Sequence, residues 1–187
     1  MCESHFEEGV PFLSAEGVSA GFVNFKKARG YITEELNKIY SKKYSPKLHD
    51  IYMVKSGATT GVTAIVETEK KFNIWSPLAA IRCKGEYSPY FVFNFMKSRE
   101  FQKAVELNWS FGTQQNIGMG IIENLHVPCP PKSEAIEIAE YIKIKSDRFN
   151  KLIKMSNKQI NLIKERKTAL VSAAVTGKID VRNWSQT

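Results

Sequence analysis

The sequence predicts an α+β protein in which a globular domain with a mixed or antiparallel sheet precedes one long C-terminal coiled-coil helix. Through about residue 130, short β-rich runs alternate with turn signals. From Ser133 to Thr176 no glycine occurs, and apolar residues recur at helical spacing. Residues 128–131 (PCPP) separate the two regions, and they predict an extended exit from the first domain because proline cannot continue a helix.

The first predicted domain, residues 1–131, contains six runs typical of strands. They lie near residues 11–15, 22–25, 50–55, 62–66, 79–83 and 125–127. Two short helices interrupt them, one capped by Thr33 and one opened by Pro89. The apolar side of the second helix includes Phe91, Phe95, Phe101 and Val105. Because no clear strand–helix–strand repeat is present, the pattern favours α+β over a parallel α/β sheet.

The second predicted segment, residues 132–176, is a spacer or dimerisation helix with an apolar stripe. Ser133 is suited to cap its start, and Gly177 to the left-handed position after its end. Such a helix extends on the order of 60 Å, longer than the flank of a small domain, so part of the stripe needs a partner. The residues assigned to this interface are Ile142, Phe149, Leu152, Ile153, Ile160, Ile163 and Leu170. Residues 177–187 are predicted to form a docking tail.

The basic residues outside the stripe leave two interpretations open. They are Lys143, Lys145, Arg148, Lys151, Lys154, Lys158, Lys164, Arg166 and Lys167. They form either a solvated face or a basic rod that lies along a polyanion or an acidic partner surface.

Composition excludes several classes of protein. The sequence contains no run of about 18 apolar residues, so no membrane span is predicted. Residues 1–5 lack the features of a signal peptide, so we expect a cytoplasmic protein. The three cysteines and three histidines are scattered, which predicts neither a disulfide framework nor a metal site. The formal charge of +8 permits nucleic-acid binding without establishing it.

Residues 56–61 (SGATTG) follow a predicted strand and invite comparison with phosphate-binding loops. A Walker A loop needs Lys and then Ser or Thr directly after its last glycine, whereas Val62 and Thr63 stand there. The segment is therefore interpreted either as a polar turn between two strands or as a turn that places Ser56, Thr59 and Thr60 against DNA phosphates.

Residues 109–118 (WSFGTQQNIG) form the most distinctive polar segment. Gln and Asn side chains present a paired donor and acceptor that match the major-groove edge of adenine, and aromatic neighbours stack or wedge. Such amides also satisfy backbone groups in irregular loops, so both interpretations stay open. The candidate DNA-binding residues here are Trp109, Thr113, Gln114, Gln115 and Asn116.

Taken together, these segments resemble the specificity subunits of Type I restriction-modification systems. The resemblance rests on residues 9–13 (GVPFL), 56–61, 112–117 (GTQQNI), 128–131 and 163–182, whose order spans nearly the entire chain. No methyltransferase motif, nucleophile elbow or cofactor loop occurs, so we expect a non-catalytic subunit.

The resemblance implies a target-recognition domain that binds one half of a split site on double-stranded DNA. It implies helices that space the domains and dock modification (methyltransferase) subunits, with a restriction subunit joining through the complex. No cofactor is expected on this chain; S-adenosylmethionine, ATP and Mg are expected on the partner subunits. Lys26, Lys27 and Arg29 are added as candidate DNA contacts.

Family members usually have two recognition domains and two long helices, so one of each predicts a half-subunit or a fragment. A half-subunit could dimerise by packing its stripe antiparallel against a second copy. Two alternatives remain: a recognition domain cut from a fused methyltransferase or nuclease, and a coiled-coil interaction protein without DNA readout.

Overall fold

The computed structural model describes residues 9–19, 21–85, 87–110 and 114–182. The chain divides into two compact units, residues 1–139 and 140–187. The α+β class predicted from the sequence is confirmed, with mixed sheets and a long C-terminal helix. In the part of the chain described, no helix is both long and apolar enough to cross a membrane.

Two sheets form the first unit. Their strands are β1 (Val10–Leu13), β2 (Val18–Ser19), β3 (Gly21–Val23), β4 (Gly30–Ile32), β5 (Ile51–Val54), β6 (Thr63–Ile65), β7 (Asn73–Ile74) and β8 (Leu78–Ile81). The smaller sheet has the order β4-β1-β7, and the larger has the order β2-β3-β6-β5-β8. Both are mixed, because β1 pairs with β7 and β3 with β6 in parallel while the other pairs are antiparallel.

The helices are α1 (Glu34–Ser41), α2 (Pro89–Met96), α3 (Arg99–Leu107), α4 (Met119–Ile122) and α5 (Lys132–Val175). Hydroxyl side chains cap the N-termini of α1, α2 and α3. Thr33, Ser88 and Ser98 each accept a hydrogen bond from the backbone N–H three residues later, which satisfies one of the free donors of the first turn.

Strand β5 is the centre of the first unit, because all four of its residues are buried. Alternate side chains of a strand point to opposite faces. Ile51 and Met53 pack with residues of α2 and α3, whereas Tyr52 and Val54 pack on the other face with Leu13 and its neighbours. The strand therefore has a hydrophobic layer on each side.

Asp50 directly precedes β5 and is almost fully buried, with 1% of its surface exposed. Arg82 donates from Nε to Oδ1 at 2.6 Å and from Nη2 to Oδ2 at 2.7 Å. The Tyr44 hydroxyl and the Lys47 backbone N–H donate to Oδ2 at 2.5 and 2.8 Å. Burial alone would raise the pKa of Asp50, but these hydrogen bonds and the Arg82 charge outweigh it and hold the pKa below its usual range.

Helix α5 ends in a Schellman motif. The N–H of Lys178 donates to the carbonyl of Ala173 at 2.8 Å, and the N–H of Gly177 donates to Ala174 at 3.2 Å. Gly177 has φ +72°, a left-handed conformation that favours glycine. The predicted role of Gly177 is confirmed.

The start of α5 differs from the prediction. The helix begins at Lys132, and the Ala135 N–H donates to the Pro131 carbonyl, so Ser133 lies in the first turn and is not the cap. Proline is tolerated before or within a first turn because those N–H groups have no helical partner. Ala135 and Ala139 are buried in the first unit, and the division between units falls within the helix, after Ala139.

Other local predictions are corrected by the structure. Residues 125–127 are not a strand. The helix opened by Pro89 is two helices, since α2 ends at Met96 and Ser98 caps a new one. Four short elements, β2, β4, β7 and α4, were not predicted.

We predict that Arg82→Met lowers the free energy of unfolding by about 3 kcal/mol at neutral pH. The substitution leaves a buried carboxylate without its charged partner, and the figure is at the lower end of the usual range because the Arg82 side chain is 43% exposed. Urea unfolding measures the loss.

The difference in free energy of unfolding between Arg82→Met and the parent protein depends on pH. A carboxylate whose folded-state pKa is lowered stabilises the fold above its unfolded pKa, and that contribution disappears as pH falls through the folded value. The difference between Arg82→Met and the parent should therefore shrink below about pH 4. Lys84→Met, an exposed change close by, is the control; a gap that stays constant down to about pH 2 would contradict the role given to Asp50.

Candidate nucleic-acid interface

The turn between β5 and β6 contains residues 56–61, the first polar segment of the sequence. Gly61 N–H donates to Val54, and Val54 N–H donates to Val62, which closes the hairpin. Within the turn, the backbone N–H of Thr60 donates to the Gly57 carbonyl at 3.1 Å and its hydroxyl donates to the same carbonyl at 2.7 Å. The turn is thus held by its own hydrogen bonds.

The second polar segment lies directly against this turn. Gly57 N–H donates to the Gln115 carbonyl at 3.0 Å, and Ile117 N–H donates to the Lys55 carbonyl at 2.9 Å. An antiparallel bridge pairs Ser56 with Asn116, and a second pairs Asn116 with Ser110. Two segments about sixty positions apart in the chain, each a candidate for DNA binding from its sequence, therefore form one surface.

The side chains of this surface differ in their exposure. Thr59, Gln114, Gln115 and Asn116 are exposed, and Ser56 is half-buried. Thr60 is 8% exposed and its hydroxyl is engaged inside the turn. We name residues 56–60 and 114–116 the turn–loop surface. Its outward groups are hydroxyls and amides, which suit phosphate oxygens and base edges.

The amide of Gln102 fixes the end of the turn, and sequence analysis did not identify it. From α3, Nε2 donates to the carbonyl of Gly61 at 3.0 Å and to that of Met96 at 2.7 Å. Gly61 has φ +90°, and a Cβ there would lie 2.7 Å from Gln102 Oε1. A polar residue beside the apolar inner face of α3, which Phe101 and Val105 form, was the available signal, but its partner Gly61 lies 41 positions away.

The remaining candidates of this segment are Trp109 and Thr113. Trp109 is half-buried against the core beside β5, and its indole nitrogen has no hydrogen-bond partner among the described residues. Thr113 lies outside the described residues. Any DNA contact of these two residues stays a prediction.

The three basic candidates lie beside the smaller sheet. Lys26 and Lys27 are exposed in a short 3-10 helix, Phe25–Lys27, which Asn24 caps. Arg29 is exposed as well, and its guanidinium lies 5.0 Å from the centre of the Trp75 ring. The backbone N–H of Arg29 donates to the Phe12 carbonyl. Among the described residues, no hydrogen bond joins these three to the turn–loop surface, and a DNA contact of Lys26, Lys27 or Arg29 stays a prediction.

Most of the predicted interface residues of α5 are exposed to solvent. Ile142 is half-buried, whereas the other six are exposed by 48 to 66%. An isolated exposed leucine is ordinary, but a continuous apolar row is typical of a binding surface.

Side chains that could ligate a metal are not clustered in the part of the chain that the structure describes. Across the described ranges, no three His, Cys, Asp or Glu side chains lie close enough to hold a metal ion.

Comparison with known proteins gives the family. Residues 3–162 match the family described as Type I restriction modification DNA specificity domain. The chain belongs to this family. A comparison with curated proteins finds no match.

Solved structures share the fold of the specificity-domain chain. One belongs to work on complex assembly and conformational transition of the type I R-M system; it has a TM-score of 0.66, 16% identity, and covers 89% of this chain and 38% of its own. The other is the Type-I restriction-modification system S subunit from M. genitalium, with a TM-score of 0.55, 19% identity, and coverage of 82% and 37%. The chain thus spans well under half the length of either.

We predict that Gln102→Met destabilises the specificity domain by about 1–3 kcal/mol, because two carbonyls lose their donor while the side-chain volume is kept. Amide hydrogens of residues 57–62 should also exchange faster. Lys103→Met, on the exposed side of the same helix, is the matched control. If both variants unfold at the same urea concentration, the anchoring role of Gln102 is wrong.

Proposed function

We propose that this specificity domain binds double-stranded DNA sequence-specifically and directs modification and restriction subunits to a bipartite site. The observation that carries the proposal is the pairing of the Ser56 turn with the Gln114–Asn116 loop into one polar surface on a family-defined specificity domain. The alternatives, a piece of a fused enzyme or a coiled-coil protein without DNA readout, lack an observation that favours them.

Within the turn–loop surface, we assign two kinds of contact. Ser56 and Thr59 donate to phosphate oxygens and set the position of the domain on the duplex. Gln114, Gln115 and Asn116 reach base edges, where a carboxamide matches the N6 and N7 atoms of adenine. Thr60 acts indirectly, since its hydroxyl holds the turn. Lys26, Lys27 and Arg29 supply further phosphate contacts.

We also propose a division of chemistry among subunits. This chain contributes recognition and no catalytic group. S-adenosylmethionine bound by the modification subunits supplies the methyl group, and ATP with Mg serves the restriction subunit.

The decisive experiment co-expresses this chain with its modification subunits and maps methylated adenines by single-molecule sequencing. Methylation at one interrupted motif, absent without this chain, is the expected result. No methylation above background, when the same modification subunits are active with another specificity subunit, would refute the proposed function.

Once the motif is known, replacing Gln114 and Gln115 with Ala should weaken binding to the cognate duplex by roughly 10-fold or more, since each good base contact contributes about 1–3 kcal/mol of discrimination. Binding to a scrambled duplex should change little. Titration of both duplexes at fixed salt measures the two affinities.

The control for this experiment is Asn124→Ala, an exposed amide whose side chain donates to the Gly120 carbonyl. An equal loss on cognate and scrambled duplexes in the Gln variant would argue against base readout by these two residues.

We further propose that the apolar stripe of α5, from Ile142 to Leu170, packs antiparallel against the stripe of a second copy. The exposure of this row supports the proposal. A two-fold axis between the helices would place two recognition domains symmetrically and would give a palindromic interrupted motif.

The dimer is tested by adding charge to the stripe. Phe149→Lys with Ile160→Lys should halve the mass measured by sedimentation equilibrium at micromolar concentration, because two ammonium groups would be buried in the apolar seam. Asn150→Lys with Asn161→Lys adds the same charge outside the stripe and should leave the mass unchanged. A parent protein that is monomeric at this concentration would refute the dimer.

A further inference from the structure

The middle of α5 has a charge pattern that the apolar stripe does not explain. Between Asp147 and Glu165 the sequence contains five basic residues and no acidic one. Among the described residues, none of the cations in this interval has a carboxylate within ion-pair distance. A solvated helix usually mixes charges of both signs along its faces, so an acid-free interval of this length is unusual.

Part of this interval forms one continuous face. Each helical residue is rotated by about 100° from the last, which places six polar residues on one side of the helix, on four successive turns. These residues are Asn150, Lys151, Lys154, Asn157, Lys158 and Asn161, and all are exposed. We name them the Lys/Asn face. The stripe residues Phe149, Ile160 and Ile163 lie on the roughly opposite side.

Every residue of the Lys/Asn face supplies a hydrogen-bond donor to a polyanion. Lysine ammonium groups and asparagine amides both donate to phosphate oxygens. From Asn150 to Asn161 the face extends about 16 Å, the rise of about five base pairs. It includes no aromatic or aliphatic side chain.

The lack of an apolar centre separates two kinds of partner. Protein interfaces have an apolar or aromatic core and are depleted in lysine, whereas interfaces with DNA are polar and strongly positive. The Lys/Asn face has the second composition. Because the proposed function already brings duplex DNA to this chain, duplex DNA is the polyanion that this face would meet.

We propose that the Lys/Asn face contacts the phosphate backbone of DNA outside the bases read by the recognition domain. This inference rests on the proposed function. The contact is independent of sequence, so it adds affinity and salt dependence without adding specificity. In an antiparallel pair of helices, the stripe is covered and the Lys/Asn face stays open to the duplex.

The test replaces Lys151, Lys154 and Lys158 together with Gln, which keeps the helix propensity. The full chain is titrated with a random-sequence duplex across a salt series from about 50 to about 200 mM. Each phosphate contact contributes about 0.9 to the slope of log affinity against log salt, so the slope should become shallower by about 2–3. Circular dichroism checks that the helix content is unchanged.

The matched control removes the same charge elsewhere, by Lys42→Gln, Lys43→Gln and Lys47→Gln, at three exposed positions after α1. Its slope should change by less than about one unit. A second variant adds charge to the face, Asn150→Lys with Asn161→Lys, and should steepen the slope. Slopes equal to those of the parent in both face variants would overturn the inference, and so would equal changes in the face and control variants.

The outcomes also separate this inference from the proposed function. Suppose that the parent chain directs methylation, but the variant with Gln at positions 151, 154 and 158 keeps the parental slope and instead loses co-purification with the modification subunit. The face then binds an acidic protein, and our inference is wrong. If the parent chain directs no methylation, the proposed function fails by its own test.

Discussion

The burial of β5 on both faces is the constraint on which the first unit depends. A strand with Ile51 and Met53 on one side and Tyr52 and Val54 on the other cannot shift its register by one residue without exchanging the two hydrophobic layers. Asp50, held by Arg82, Tyr44 and the Lys47 amide, fixes the entry to the strand. The position of the chain as it leaves β5 is therefore determined to within a residue.

The candidate interface uses that fixed position. The polar turn begins two residues after β5, and its Gly57 N–H and Lys55 carbonyl pair with the loop that carries Gln114–Asn116. Backbone pairing makes the geometry independent of the exposed side chains. Replacing Thr59, Gln114 or Gln115 would consequently leave the backbone pairing of the two segments in place.

Sequence patterns predicted this molecule where the signal is local. Short β-rich runs identified five of the eight strands, Thr33 and Gly177 identified helix ends, and hydroxyl and amide content identified both polar segments. The failures need information from distant residues: residues 125–127 have a strand-like composition but no partner strand, and β7 has two residues that exist as a strand only because β1 pairs with them. Gln102 belongs to the same class, since its partner Gly61 is remote in sequence.

The two proposals for helix α5 assign its surface two different physical tasks. An apolar stripe gains free energy by leaving water, and it does so at any ionic strength. A Lys/Asn face gains free energy by releasing counterions from a phosphate backbone, so its contribution falls steeply as salt rises. If both proposals hold, placing these tasks on opposite sides of one helix lets assembly and DNA affinity respond to different conditions. The exposed lysines would oppose assembly if they lay on the stripe, and their separation removes that conflict.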